Sequence, residues 1–345
     1  MNSKIPLVSS EDFIAIAEIL ESLEGNLTVE KVFRRQGLPR DLRHRPSLCY
    51  LNIELIKFIE AAARQSGLEY FGLIAGSMYK FSDLGLFGKY VLEAPNLAVA
   101  ITRAKRSISY YESGSSLQTV TSNGTTVLRY FPASPYVIGA SHQSDAVMLM
   151  LIDLVRNFVG DDWRPEYVEL NYNTAGRMLV LEDHFQARVV SERQAIGVPI
   201  ANELLFRCKN SKIIETPPIT IHDLHRLHAN PLPTAVSDVV LNTIILRQDH
   251  MQSNIELIAN QLNVGTRTLQ RNLNKDGQTF RELVNTAVIK RGNELLADTE
   301  LSITEISKQL GYTAKQNFIR AYKNQTNMTP NQARKMFDRQ HQSRF

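Results

Sequence analysis

The chain of 345 residues is 43% hydrophobic and 21% charged, with a mean hydropathy of −0.20, which excludes a disordered or fibrous protein. At roughly 100–200 residues per domain there is material for two domains, each with its own core. The formal net charge of +4 is uneven: residues 236–345 carry 15 Lys and Arg against 10 Asp and Glu, and the preceding residues 24 against 25. A positive excess confined to the last third points to a polyanionic partner. The longest nearly apolar stretch, residues 146–155, is interrupted by Asp153 and reaches about half the length of a membrane span. The N-terminus holds Lys4 but no apolar segment of a secretory signal. Cys49 and Cys208 are too few and too distant for a disulfide framework or a CxxC metal site. These features predict a soluble, cytoplasmic chain that meets no membrane.

In chain order, Ser10 with Glu11 and Asp12 ahead of Phe13 predicts a capped helix ending at Gly25. Ile53, Ile56, Ile59 and Ala63 recur at helical spacing in residues 52–63, and residues 96–106 and 142–158 read the same way. Residues 117–122 and 125–130 flank Asn123-Gly124, the pair suited to the positive φ angles of a type I′ hairpin. Residues 168–172 and 188–190 are further strand candidates. The expectation is an α+β domain over residues 1–210. Pro217, Pro218, Pro231 and Pro233 then mark residues 211–236 as a linker.

Residues 237–345 read as all-helical. Ser253 with Glu256 and Ser302 with Glu305 match the Ser-x-x-Glu capping box, and Thr329-Pro330 opens a last helix. Ile258-Ala259-x-x-Leu262 returns as Ile306-Ser307-x-x-Leu310, and Leu269-Gln270-Arg271 as Phe318-Ile319-Arg320. Each copy is a short helix, a turn (Asn263-Val264-Gly265, then Gly311-Tyr312-Thr313) and a second helix, the pattern of a helix-turn-helix that places its second helix in a major groove. In the first copy Leu269 and Leu273 face inward while Arg267, Gln270, Arg271 and Asn274 share another face. In the second, Phe318, Ala321 and Tyr322 face inward and Lys315, Gln316, Ile319, Arg320 and Lys323 outward. Arg matches guanine O6 and N7, and Gln or Asn matches adenine N6 and N7; Ile319 fits either a thymine methyl or the packing edge. Between the copies Phe280, Leu283, Val284, Ala287, Arg291, Glu294 and Leu295 fall near one face of a long helix, with Gly292 inside it as a site of close packing. Such a helix would set the two reading heads about one duplex turn (~34 Å) apart.

The run IANQL, RTLQRNL, Phe280, ELLADTELSITEIS, LGY, FIRAYK and MTPNQAR over residues 254–337 resembles the tandem helix-turn-helix domain of AraC/XylS-type transcription regulators. That resemblance implies a sequence-specific regulator, an activator by type, whose partners are double-stranded promoter DNA and RNA polymerase. It carries base-contacting roles onto Arg267, Gln270 and Arg271 and onto Lys315, Gln316, Ile319 and Arg320. Three positions depart: Ala314 stands where the family has Asp, Gln316 where it has Ser, and Asn327 where it has Gly. The segments SLCYLNIELIKFIEAAARQSG, LGLFGKYVLEAPNLAVAI and DDWRPEYVEL, with Gly85, Gly88 and Pro95, are similar to the N-terminal domain of the subgroup with ornithine-responsive regulators. That implies a bacterial protein whose first domain binds a small-molecule effector, forms a homodimer, or does both.

No phosphate loop, HExxH or G-x-S-x-G elbow occurs, so neither an enzyme nor a cofactor is expected. Ser141, His142 and Asp145 read as a helix start, with Ser141 its cap. His222, His225 and His228 have spacing suited to a divalent ion but read as linker residues, and no metal site is expected. Tyr110, Tyr111, Arg129, Tyr130, Phe131 and His142 gather about the hairpin as candidates for an effector pocket. The alternative is an enzyme or metal-dependent sensor targeted to DNA by the C-terminal domain.

Overall fold

The computed structural model describes residues 6–38, 49–207, 219–227, 235–245, 254–262 and 264–342. The chain divides into two compact units, one of residues 1–36 and 40–232 and the other of residues 37–39 and 233–345.

The first unit is α+β. Strand β1 (Leu7–Ser9) leads into α1 (Ser10–Glu24) and α2 (Asn26–Gln36); β2 (Cys49–Leu51), antiparallel to β1, leads into α3 (Asn52–Ser66). Helices α4 (Phe71–Met78), α5 (Gly85–Leu92) and α6 (Leu97–Tyr111) follow, then the hairpin β3 (Ser116–Ser122) and β4 (Thr125–Phe131). Beyond it come α7 (Ala140–Val159), β5 (Tyr167–Glu169), α8 (Met178–Phe185), β6 (Arg188–Val190), β7 (Ile196–Ala201), α9 (Asn202–Leu205) and α10 (Ile221–Leu227). The main sheet has the order β3-β4-β7-β5-β6, antiparallel except for β5–β6.

The hairpin stands where its sequence places it, with Asn123 at φ 49° and Gly124 at φ 78°. The expected helices run longer. Residues 96–106 become α6, capped by the Asn96 side chain accepting from the Val99 N–H at 3.0 Å. The cap of α1 is Ser9 rather than Ser10. Helix α7 starts at Ala140 after Gly139 at φ 92°, so Ser141 lies in the first turn and is not the cap. Strand β7 has no counterpart in the sequence reading: Ile196–Ile200 is buried throughout, so it lacks alternation, and Pro199 argues against a central strand.

Helices α4 and α7 pack backbone to backbone. A Cβ on Gly72 would lie 2.2 Å from the His142 carbonyl oxygen, and one on Gly76 would lie 2.6 Å from the Ala146 Cα. The segment read as a linker carries α10, which buries Leu224 against this unit, and the Ile219 N–H donates to Glu93 at 2.7 Å.

The second unit is all α: α11 (Val236–Ile245), α12 (Ile255–Gln261), α13 (Thr266–Lys275), α14 (Phe280–Asp298), α15 (Ile303–Gln309), α16 (Lys315–Thr326) and α17 (Pro330–Gln342). Helices α11, α12 and α13 pack together, with α11 against α14; α15, α16 and α17 also pack on α14. Serving two cores, α14 buries residues around its circumference, from Leu283 and Ala287 to Val288, Ile289, Gly292, Leu295 and Leu296. Two members of the expected face, Arg291 and Glu294, instead form an ion pair at 2.8 Å. A Cβ at Gly292 would meet Phe318 and Leu310 at 3.4 and 3.5 Å, ordinary contact, so space does not demand the expected glycine.

Candidate nucleic-acid interface and interior cavity

Each short helix of the repeat is fixed by its cap. In α12 the cap is Asn254, whose side chain accepts from the Leu257 N–H at 2.7 Å; the cap expected at Ser253 and the turn residue Asn263 lie outside the described residues. In α15 the Ser302–Glu305 box is reciprocal, with N–H donations of 2.8 and 3.2 Å. A further box, Thr279–Glu282 at the head of α14, matches the same sequence signature and went unread. Hydrogen bonds hold the Glu282 and Glu305 carboxyls below the usual carboxylate range.

With the short helices set, the second helix of each copy presents one face. Helix α13 buries Leu269 and Leu273 and leaves Arg267, Gln270, Arg271 and Asn274 exposed. Helix α16 buries Phe318 and Tyr322, half-buries Ala321 and Ile319, and exposes Lys315, Gln316, Arg320 and Lys323. Ile319 thus sits at the edge of the packed stripe. The Arg320 guanidinium donates to Asn317 Oδ1 at 2.9 Å, an exposed contact that a base edge can replace. Ala314, standing for the family's Asp, is the N-cap of α16 and supplies no side-chain bond. Asn327 closes the helix at φ 58°, the left-handed conformation that Asn tolerates.

The first unit holds a half-open apolar cavity of about 110 Å³ between α1, α3–α7 and the hairpin. Its walls include Ile16, Leu55, Leu84, Phe87, Ile108 and Leu151. Six polar-tipped side chains join them: Asp12, Tyr79, Tyr111, Glu112, Tyr130 and Gln143. Asp12 accepts from the Tyr111 hydroxyl and, at 3.4 Å, from that of Tyr79. Glu112 faces the hydroxyls of Tyr130 and Ser115, themselves 3.0 Å apart. Burial pushes the Asp12 carboxyl up to about 6, with Glu11 adding to the rise and the tyrosines opposing it. Burial pushes Glu112 up to about 7, with Asp12 adding to it.

Both acids therefore keep their protons in the folded unit at pH values where the unfolded chain has lost them. Stability should fall as pH rises between about 4 and 7 and level off above. The expected result is a urea midpoint, read from the fluorescence of Trp163, that drops across this range and flattens in the Asp12→Asn, Glu112→Gln double variant. A midpoint that climbs over the same range contradicts the assignment.

Of the residues placed around the hairpin by sequence, the structure brings only Tyr111 and Tyr130 to the cavity. Side chains alternate along a strand, so Arg129 and Phe131 leave β4 on the face opposite Tyr130. Arg129 makes a two-point ion pair with Glu169 at 2.7 and 2.9 Å. Tyr110 is half-buried outside the lining. His142 is taken up by the α4–α7 crossing: Nδ1 accepts from the Gly72 N–H at 3.3 Å and Nε2 lies 3.7 Å from Glu60. Burial holds its imidazole below the usual range. Asp12, Tyr79, Glu112 and Gln143 line the cavity and were missed. An acid at i, i+4 to Ile16 on an apolar stripe was a usable signal for Asp12; the sequence around Glu112 and Gln143 offers none.

Ser141, His142 and Asp145 do not converge. Asp145 is fully buried; it accepts from Arg177 at 2.8 Å and from the Tyr172 hydroxyl. His222 is exposed on α10, and His228 and the His225 side chain lie outside the described residues. Among the described residues no cluster of His, Cys, Asp and Glu suits a metal ion, and no helix is long and apolar enough to cross a membrane.

Residues 27–207 match the family model described as the arabinose-binding domain of AraC transcription regulators, N-terminal, and residues 258–336 match a helix-turn-helix domain. The ornithine utilization regulator of Pseudomonas aeruginosa is 22% identical over 343 residues, 96% of this chain and 99% of that one. The HTH-type transcriptional regulator VirS of Mycobacterium tuberculosis is 23% identical over 309 residues, 87% and 89% of the two chains. The crystal structure of transcriptional regulator CdpR from Pseudomonas aeruginosa overlays with a TM-score of 0.40 at 18% identity, covering 90% of this chain and 97% of that one. The first family model alone spans more than half of the chain, and with a helix-turn-helix unit following it the chain belongs to the AraC-type DNA-binding transcription regulators.

Proposed function

We propose that α13 and α16 enter adjacent major grooves on one face of promoter DNA, Arg267, Gln270, Arg271 and Asn274 reading one, Lys315, Gln316, Ile319 and Arg320 reading the other, and Lys323 lying against the phosphate backbone beside it. The observation that carries this is the matched pair of helices, each buried on its apolar stripe and exposed on a polar, cationic face, with one helix, α14, packed into both cores. In this reading residues 237–345 bind DNA, residues 211–236 link, and residues 1–210 regulate without catalysis in the cytoplasm of a bacterium. The arabinose-binding description of the matched N-terminal model supports a small-molecule effector, and the interior cavity is its site. An effector acts by binding one state of the protein better than another. A homodimer and a contact with RNA polymerase complete the proposal by analogy with activators of this type.

The test is selection of bound genomic fragments by the purified full chain, followed by titration of the best fragment with salt. Enrichment of one sequence class is expected, with affinity falling steeply as salt rises because each neutralised phosphate releases counterions. Equal binding of unrelated duplex contradicts the reading.

A further inference from the structure

The cavity of the first unit has a chemical bias that its fold does not require. Carboxylates withdrawn from water are ordinarily paired with a cation. Asp12 and Glu112, 9% and 7% exposed, both border this cavity, and the partners they have are neutral hydroxyls. Among the described residues the lining contains no Lys, Arg or His. Independently, Gln143, 8% exposed, borders the same space, and its side-chain amide makes no hydrogen bond among the described residues. The remaining walls are aliphatic or aromatic, with the Phe87 and Tyr111 rings stacked at 5.2 Å.

We propose that this cavity binds a small organic cation, a protonated amine carried on an apolar body, with Asp12 and Glu112 as counter-charge, the aromatic rings as a face for the cation, and the Gln143 amide as a hydrogen-bonding partner. The proposal rests on the reading of the first unit as an effector domain and names the class of effector. An acid would bring a third carboxylate into a space where burial already disfavours the charged forms of Asp12 and Glu112, whereas a cation favours those forms. A sugar needs a polar group for each hydroxyl, and these walls supply few. A cation gains from both carboxylates and from the ring faces. The volume suits a body of about the size of a benzene ring, which a dry apolar cavity of similar volume accepts.

The test is calorimetric titration of the full chain with three probes of one shape: benzylamine, benzyl alcohol and benzoate. Benzylamine is expected to bind at least tenfold more tightly than benzyl alcohol, with no binding of benzoate. Asp12→Asn and Glu112→Gln are each expected to cut the preference for the amine over the alcohol at least fivefold. Equal or tighter binding of the alcohol or the acid by the unaltered chain overturns the cationic class while leaving the cavity an effector site, and this comparison stands whether or not the variants fold. Failure of all three probes to bind, or binding that persists unchanged in the cavity-filling variant Ala146→Phe, overturns both the class and the effector-site reading.

Discussion

Arg271→Ala and Arg320→Ala are each expected to weaken specific DNA binding by about 1–3 kcal/mol, roughly 5- to 150-fold, and to relax the sequence requirement at one or two base pairs. The reasoning starts from burial. Leu269 and Leu273 anchor α13, and Phe318 and Tyr322 anchor α16, so both guanidinium groups project from the solvent side of a helix whose orientation is fixed by its core. A forked guanidinium meeting guanine O6 and N7 makes two hydrogen bonds that no other base pair satisfies. Its loss therefore costs affinity at the cognate site and little elsewhere. Lys323→Ala serves as the contrast: an exposed ammonium near a phosphate should cost affinity evenly across sequences and lower the salt dependence by about one counterion. The two arginines sit on separate helices, so their losses should add in the double variant. Anisotropy titrations on cognate and scrambled duplexes read both quantities.

Arg177→Met is expected to destabilise the first unit by about 3–5 kcal/mol while the second unit keeps its fold. Asp145 is wholly buried in α7, and its charge is balanced by Arg177 at 2.8 Å. The same guanidinium reaches the Tyr172 hydroxyl at 3.2 Å and lies over the rings of Tyr70 and Tyr172. Methionine preserves much of the volume but strands a carboxyl with only the Tyr172 hydroxyl for company. Ionised, that group is unpaired; protonated, it has lost its main partner. The double variant Arg177→Met, Asp145→Leu should recover most of the loss, because removing both members of a buried pair is far cheaper than removing one. Trp163 is the only tryptophan in the chain and belongs to the first unit, so its fluorescence in urea follows this transition. Equal stability of the single variant and the parent would show that the pair contributes nothing.

The two units differ in how far they could be read from sequence, for physical reasons. In the second, short helices need caps and a 3.6-residue stripe, and both are local: Ser302 with Glu305, Thr329 with Pro330, and Leu269 with Leu273 signal themselves within a few residues. Even there the reading slipped where two residues could serve the same role, as at Ser253 and Asn254. It also slipped on α14, whose buried positions circle the helix because separate cores claim opposite sides. In the first unit Asn123-Gly124 announced its hairpin, since few residue pairs accept two positive φ angles. Strand β7 was silent because burial on both faces removes alternation. The cavity was the least legible feature. Asp12 and Glu112 are 100 residues apart in sequence, and only the packing of α1, α6 and the hairpin makes them neighbours of one space. Arg129 and His142 looked equally suited to a pocket, yet Glu169 and the α4–α7 crossing had prior claim on them.

Methylation interference on a selected operator tests the paired reading heads most directly, because guanine N7 lies in the major groove. The account predicts two clusters of interfering guanines on one face of the duplex, about one helical turn apart. Arg271→Ala should erase one cluster and Arg320→Ala the other. A single cluster, or two that survive both substitutions, would contradict it.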